Sequence, residues 1–478
     1  MRRRIVIVGA GIAGLAAAYR ADKLAREHAL DVEIMVLEGS SRAGGVIESV
    51  EEKGCLLELG PDSIITEKPW ARNLCEEIGL KDRIIGTSTE HRQSFIALGT
   101  RLHPVPEGFY MMAPTRLSTL ARSGLFSLAG KARMAADLFL PRRNDDADET
   151  LASFVTRRLG REALERAAQP MVGGIYTADP AKLSLRATMP RFLEMERRHR
   201  SLILGLSGTM KRAAAAQGSA AGPRYSLFIA LDRGLAVLPA RLCELLPKGA
   251  LHTGVMVESI GQRQDGGWTV HTLDTEQERI EADAVCLATP AHASARILEV
   301  AAPELARSLN GIEYASTATV NLAYRREDIA HPLNGFGFVV PAVERRVVLA
   351  CTFSSVKYAG RAPKGMVLIR AFVGGAMFPE HFEMSDDRML AGIDRDLSEL
   401  LGVRARPRLA RIVRWARSMP QYNVGHLERV ARIDQESGRL PSFALAGASL
   451  TGVGIPDCVR SGEAAAEKLV MSLVRAGR

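Results

Sequence analysis

No window of these 478 residues holds the roughly 18 uninterrupted apolar residues that a membrane-crossing helix needs, so a spanning helix is not expected. The six cysteines, Cys55, Cys75, Cys243, Cys286, Cys351 and Cys458, form no Cys-x-x-Cys pair and no His/Cys ligand spacing. They read as reduced, mostly structural thiols of a cytoplasmic protein without a metal site. Aromatic residues are scarce at 5%, and the basic residues are spread along the chain without interleaving them, which argues against nucleic acid as a partner. Internal repeats and low-complexity tracts are missing as well.

What remains is long enough for two or three domains, and 47% hydrophobic residues can fill a sizeable core. The net charge of +9 would suit an anionic membrane surface, an acidic substrate or simply an arginine-rich solvated surface, and its sign alone leaves these open. Met1-Arg-Arg-Arg4 has the charge of a signal-peptide start, but the apolar run behind it is needed as a strand, so cleavage there is not expected.

That run, Arg4-Ile-Val-Ile-Val8, leads into Gly9-Ala10-Gly11-Ile12-Ala13-Gly14 and an alanine-rich helix. The first glycine permits a tight turn, the second lets a pyrophosphate approach the backbone, and the third lets helix and strand pack closely. The helix N-terminus offers free N–H groups to phosphate. A second strand, Asp31 to Glu38, ends in a carboxylate able to accept both hydrogen bonds of a ribose diol. Arg42, Gly44 and Gly45 follow, a cation and a glycine pair suited to a second approach to the same pyrophosphate. Near the other end, Phe443 to Ala448 reads as a buried strand, followed by a glycine turn and a helix from about Pro456 whose N-terminus would face a ligand. The compound pattern resembles the flavin-containing amine oxidase superfamily.

Between these ends, Leu117 to Gly205 is mainly helical in pattern, with a break at Pro141 to Asp146 and a glycine turn at Gly173-Gly174. Val255 to Ile260 and Gly266 to Thr272 predict a hairpin, and Ala282 to Pro290 a strand re-entering the nucleotide-binding sheet. Strands at Thr317 to Ala323, Phe336 to Val340 and Val367 to Gly374 predict a separate antiparallel sheet with a helix, Ala391 to Leu401, against it.

Five segments narrow the resemblance: Gly60-Pro61-Asp62-Ser63, Gly173 to Pro180, Met195 to Leu202, Met419 to Leu427 and Gly452 to Cys458. In this order they resemble the protoporphyrinogen/coproporphyrinogen oxidase family from end to end. The resemblance implies a mixed α/β and α+β fold: a discontinuous Rossmann-like FAD-binding domain (residues 1–88, 228–294 and 414–478), an antiparallel-sheet substrate domain (89–109, 208–227 and 295–413) and a helical membrane-associating domain (110–207). It implies noncovalent FAD held by Gly9 through Gly14, Glu38, Arg42, Gly44, Gly45, Gly60 through Ser63, the Val257 backbone, Trp415 and Gly454-Ile455-Pro456. Substrate contacts would fall at Gly173, Gly174, Val339 and Phe372, the last two also readable as ordinary strand-core residues.

The implied reaction is the six-electron oxidation of a porphyrinogen in three two-electron steps, each with a meso C–H held near flavin N5, O2 as acceptor and H2O2 as product. Placement does most of the work, and no Ser/His/Asp set or carboxylate pair is called for. Where plant and animal members carry an arginine for a substrate propionate, this chain has Ser94; with Gln93, Lys68 and the Gly-Ile-Pro-Asp-Cys ending it looks more like the bacterial coproporphyrinogen III branch. Lys68 is the one candidate propionate or proton partner, and it also reads as an exposed surface lysine. Protoporphyrinogen IX oxidase, an FAD amine oxidase and a non-catalytic FAD-binding membrane scaffold are the alternatives; the second lacks its Ser-Gly-Cys flavin-attachment segment here. The implied partners are the porphyrinogen, O2, an anionic membrane surface on the inner face of the plasma membrane and a downstream enzyme of heme synthesis. Phe109 to Met112 and Leu120 to Leu128, beside Arg116, Arg122, Lys131 and Arg133, could form the membrane-facing surface or pack within their own domain.

Overall fold

The computed structural model describes residues 2–106, 108–110, 112–115, 117–208, 227–273 and 279–476. Met111 and Arg116, and nearly all of the 208–227 segment assigned to the substrate domain, lie outside them.

The apolar runs at Arg3–Val8 and Ala284–Leu287 are buried on both faces, as strands of an all-parallel sheet must be. That sheet has five strands in the order Leu251–Thr253, Val32–Glu38, Arg3–Val8, Ala284–Leu287, Phe443–Leu445. Val8 is in register with both Leu37 and Leu287, so the glycine turn after Val8 emerges between two neighbouring strand ends. Helices Ile12–Glu27 and Ile455–Ala476 cover one face. The other is covered by a three-stranded meander (Met256–Gln262, Trp268–Leu273, Arg279–Ala282) and helices Ala291–Leu298 and Pro303–Asn310. The hairpin predicted from Val255 to Thr272 is therefore present, extended by one strand. Leu298, Leu305 and Leu309 sit in this core, so the nucleotide unit runs past the expected boundary at 294 to Ile312.

A second sheet of seven strands runs Leu409–Pro420, Tyr314–Arg325, Met366–Gly374, Ala350–Thr352, Gly337–Val339, Ser94–Leu98, Arg101–Pro104. It is not wholly antiparallel as expected: Gly337–Val339 pairs parallel with Ser94–Leu98. More than two hundred residues separate these strands, so no tight turn forces them antiparallel. The expected boundary at 413/414 falls inside the strand Leu409–Pro420. Helix Asp386–Leu401 packs on one face of this sheet. It begins five residues before the predicted Ala391 because the Ser385 hydroxyl caps the Arg388 N–H and Asp386 and Asp387 occupy the first turn.

The helical unit between these sheets is built around a buried charge pair. Arg158 Nε donates to Asp137 at 2.7 Å with both side chains fully buried, and Ser201 Oγ donates to the other carboxylate oxygen at 2.6 Å. Much of the segment expected to face lipid packs within its own domain. Met112, Leu120, Leu125 and Phe126 are core residues, Lys131 donates to Ala121 O, and Arg133 caps the carbonyls of Thr156, Arg157 and Arg158. Apolar residues at helical spacing have closed on their own domain, while Leu117, Leu128, Phe139, Ile175 and Leu204 remain exposed, Leu128 (84%) and Phe139 (80%) the most. Among the described residues no helix is long and apolar enough to cross a membrane.

Burial, with Arg326 nearby, lowers the pKa of His331, whose Nδ1 accepts the Leu333 N–H at 3.0 Å. A histidine with a depressed folded pKa contributes its full stability above about pH 6.5 and loses it as pH falls toward the folded value. His331→Asn keeps an acceptor in place without titrating. The stability gap between parent and variant, read by urea denaturation, is expected to narrow from pH 7 to 5; a constant gap would contradict the assignment.

Candidate active site

The three glycines of the first turn are required for three separate reasons. Gly9 has φ +100°, and a Cβ there would lie 2.9 Å from Ala288 O; one on Gly14 would lie 1.9 Å from Gly9 O, inside the strand–helix contact. At Gly11 an added Cβ would meet nothing within 4 Å. Protein packing does not demand that glycine, so the space in front of it is left for something else. Gly11 is the N-cap of Ile12–Glu27 and has no side-chain cap, leaving backbone N–H groups for an anion.

Opposite stands the second glycine loop. Gly44 bridges Gly11 and donates to Ala10 O at 2.8 Å, and a Cβ on Gly45 would lie 3.2 Å from Gly11 Cα. Arg42 donates to Gly45 O at 2.7 Å and pairs with Glu48 at 2.7 Å, so it shapes this loop and its charge is balanced by Glu48. Glu38 accepts from the Ala10 N–H at 2.7 Å and the Ser40 N–H at 2.9 Å, which holds its carboxylate at the rim of the turn. Val257 lies just after Val255, whose N–H donates to Glu38 O at 2.9 Å. These elements form one cradle with the donor set and clearance of a dinucleotide site, and the residues present fit a flavin dinucleotide.

The C-terminal helix points into the same place. A Cβ on Gly462 would fall 2.1 Å from Ala13 O, and Arg20 pairs with Glu467, so Ile455–Ala476 runs parallel to Ile12–Glu27 with both N-termini facing one way. Gly454, Ile455 and Pro456 form its start.

The Leu59–Ser63 loop closes the side toward the second sheet. A Cβ on Gly60 would lie 1.8 Å from Val46 O, immediately past the glycine pair. Leu59 O accepts from Thr319 Oγ1 at 2.5 Å and Trp415 Nε1 at 2.9 Å, and Gly60 O from Arg370 at 2.7 Å. Pro61 leads to Asp62, which pairs with Lys357 at 3.2 Å and Arg370 at 3.4 Å. Ser63 Oγ donates to Asp62 at 2.6 Å and accepts from Lys357 Nζ at 2.7 Å and Tyr358 OH at 2.9 Å. Burial alone would raise the Asp62 pKa; Lys357 and Arg370 reverse that and hold the carboxyl below its ordinary range. Burial pulls the Lys357 ammonium below its usual pKa in spite of Asp62. Asp62 and Ser63 were expected as cofactor contacts, and the structure shows them as the core of an ion network. Arg370 and Lys357 were missed, although an arginine inside the apolar strand Met366–Gly374 was a readable signal.

Val339 and Phe372 lie on one face of the seven-stranded sheet, in a cross-strand row Ile96, Val339, Ala350, Phe372, Thr319. Two strand spacings, roughly 10 Å, separate them, with only the small Ala350 between. Arg370 stacks over the Phe372 ring at 4.7 Å and so ties this wall to the Gly60 carbonyl. Ser94 lies on the same face, in the row Ser94, Gly337, Thr352, Arg370. Gly173 and Gly174 are not in a turn as predicted but in the helix Gln169–Tyr176, which continues a π-helical stretch Leu164–Ala168. Helical neighbours and Pro170 in the first turn outweigh two weak breakers, and the chain leaves the helix only at Thr177, φ +48°. A Cβ on Gly174 would lie 3.6 Å from Val339 Cγ1, so the structure does bring these two together. Lys68 is paired with the buried Asp457 carboxylate at 2.7 Å, and its charge is balanced within the protein.

The model of flavin-containing amine oxidoreductases matches residues 12–470. The chain belongs to that family. Within this flavin-containing amine oxidoreductase family, it is 34% identical to a coproporphyrinogen III oxidase of Bacillus subtilis (strain 168), over 97% of each chain. It is 30% identical to a protoporphyrinogen oxidase of Homo sapiens, over 98% of each. A solved structure from Exiguobacterium sp. 255-15 shares 30% identity and a TM-score of 0.85, covering 98% of this chain and 99% of that one. The family description implies a flavin cofactor.

Proposed function

We propose that this chain is an FAD-dependent coproporphyrinogen III oxidase. The observation that carries the reading is the flat wall of Val339, Ala350 and Phe372 facing Gly174, tied through Arg370 to the loop that closes the cradle. Such a wall suits a broad macrocycle, and the full-length likeness to the Bacillus subtilis enzyme supplies the substrate class. FAD, held without a covalent bond, supplies the two-electron acceptor. The overall balance is one porphyrinogen and three O2 giving one porphyrin and three H2O2, the six hydrogens leaving in pairs. The chain's own residues position and enclose: the sheet wall and Gly174 orient the ring, and the Asp62 network fixes the loop between ring and cradle.

The competing reading is protoporphyrinogen IX, and the two substrates differ in charge more than in shape. Two further propionates need polar or cationic partners, whereas vinyl groups need an apolar wall. Ser94 and Thr352 give the site face polar groups that can hydrogen-bond a propionate. A kcat/KM preference for coproporphyrinogen III of at least about tenfold, ~1.4 kcal/mol, is expected when both are assayed under air by porphyrin fluorescence. Equal or faster turnover of protoporphyrinogen IX would overturn the substrate assignment. Acid denaturation is expected to release intact FAD; flavin left on the polypeptide would refute noncovalent binding.

A further inference from the structure

The segment Met419 to Leu427 touches none of the cradle glycines, yet two of its side chains are buried against the loop that precedes the C-terminal helix. Tyr422 is 1% exposed; its hydroxyl donates to Ala448 O at 2.6 Å and accepts the Gly452 N–H at 2.7 Å. His426 stacks on the Tyr422 ring, centroids 4.0 Å apart and planes within 13°, and its Nε2 bonds Leu450 O at 2.9 Å. A carbonyl can only accept, so Nε2 carries the proton. Three hydrogen bonds from one aromatic pair therefore fall on alternate residues of one loop. Gly452 is required as glycine at this point: a Cβ would lie 2.3 Å from the Asp457 carboxyl carbon.

The back of the pair is anchored in the substrate side. Tyr422 O accepts the Ser184 N–H at 2.8 Å, Leu183 bridges Asn423, and Gln421 Nε2 donates to Tyr176 O at 3.3 Å, the last residue of the helix that carries Gly174.

We infer that Tyr422 and His426 are positioning residues that set the Ala448–Gly452 loop, and with it the N-terminus of Ile455–Ala476, against the flavin while tying that edge to the substrate wall. They touch no reacting atom. A helix N-terminus aimed at the ring stabilises its reduced anionic form, so a displaced loop should make the flavin harder to reduce and easier to lose.

The inference rests on the flavin reading, which the wild-type visible spectrum and FAD content test separately. Tyr422→Phe keeps the stack and removes both hydroxyl bonds. Expected are an FAD dissociation constant raised at least about tenfold, a more negative flavin midpoint potential and a shifted visible spectrum. Ser385→Ala, which removes the cap on the Arg388 N–H at the start of helix Asp386–Leu401 on the second sheet, is the control for general destabilisation and should leave potential and spectrum unchanged. His426→Gln, which retains a donor, should preserve the wild-type potential, whereas His426→Ala should shift it as Tyr422→Phe does. Wild-type potential and FAD affinity in Tyr422→Phe and His426→Ala would overturn the inference. Equal shifts in Ser385→Ala would overturn it as well.

Discussion

A Gly11→Val protein is expected to fold, to melt like the FAD-stripped parent and to purify colourless. At most glycines of this cradle a side chain would collide with protein: Gly14 with Gly9 O, Gly60 with Val46 O. At Gly11 the backbone is extended, φ −68° and ψ 175°, which valine readily adopts, and the added Cβ has open space. The cost therefore falls on the pyrophosphate, whose approach to the Ile12–Glu27 N-terminus the isopropyl group fills. FAD per chain by absorbance after gel filtration, beside a thermal melt, checks both halves. Normal FAD loading in the folded variant would remove the nucleotide site from this turn.

The second large effect is expected at Asp62. Asp62→Ala leaves Lys357 and Arg370 buried without their carboxylate, which typically costs about 3–5 kcal/mol. The double variant Asp62→Ala with Lys357→Met should lose less than the sum of the single changes, since one orphaned charge is gone. Because the Asp62 pKa is depressed, its contribution is present above about pH 4 and declines as pH falls toward the folded value. Urea denaturation of the three variants reads all of this; a single-variant loss under about 1 kcal/mol would show that the network does not hold the loop.

The cradle was legible because each of its parts is a short local pattern in itself: the turn at Gly9 to Gly14, the strand end at Glu38, the glycine pair Gly44-Gly45 and the helix start at Ile455 each show within a few residues. Gly9, Gly11, Gly14 and Glu38 stand where their types and spacing place them. Arg42 was legible as a cation but not in its partner, since Glu48 could be matched to it only once the loop had closed. The Asp62 network was not legible, because its members lie about 300 residues apart and meet through sheet register. The Gly173-Gly174 turn misread for a different reason: the helix is held by its tertiary neighbours, and glycine's weak intrinsic preference cannot override them. Tyr422 looked like part of a motif without a task, since its task is hydrogen bonding to a loop that the sequence does not place beside it.

The order of strands in the parallel sheet has a consequence for synthesis. The edge strand Phe443–Leu445 and the helix that packs Gly462 onto Ala13 are made more than 400 residues after the first strand. Until then the outward face of Ile12–Glu27 stays uncovered and the cradle lacks one of its two helix ends, leaving apolar surface for chaperones and proteases. Assembly of the cradle thus waits on a helix made more than 400 residues after the glycine turn: a chain cut short before Ile455 is expected to carry the entire turn yet stay colourless.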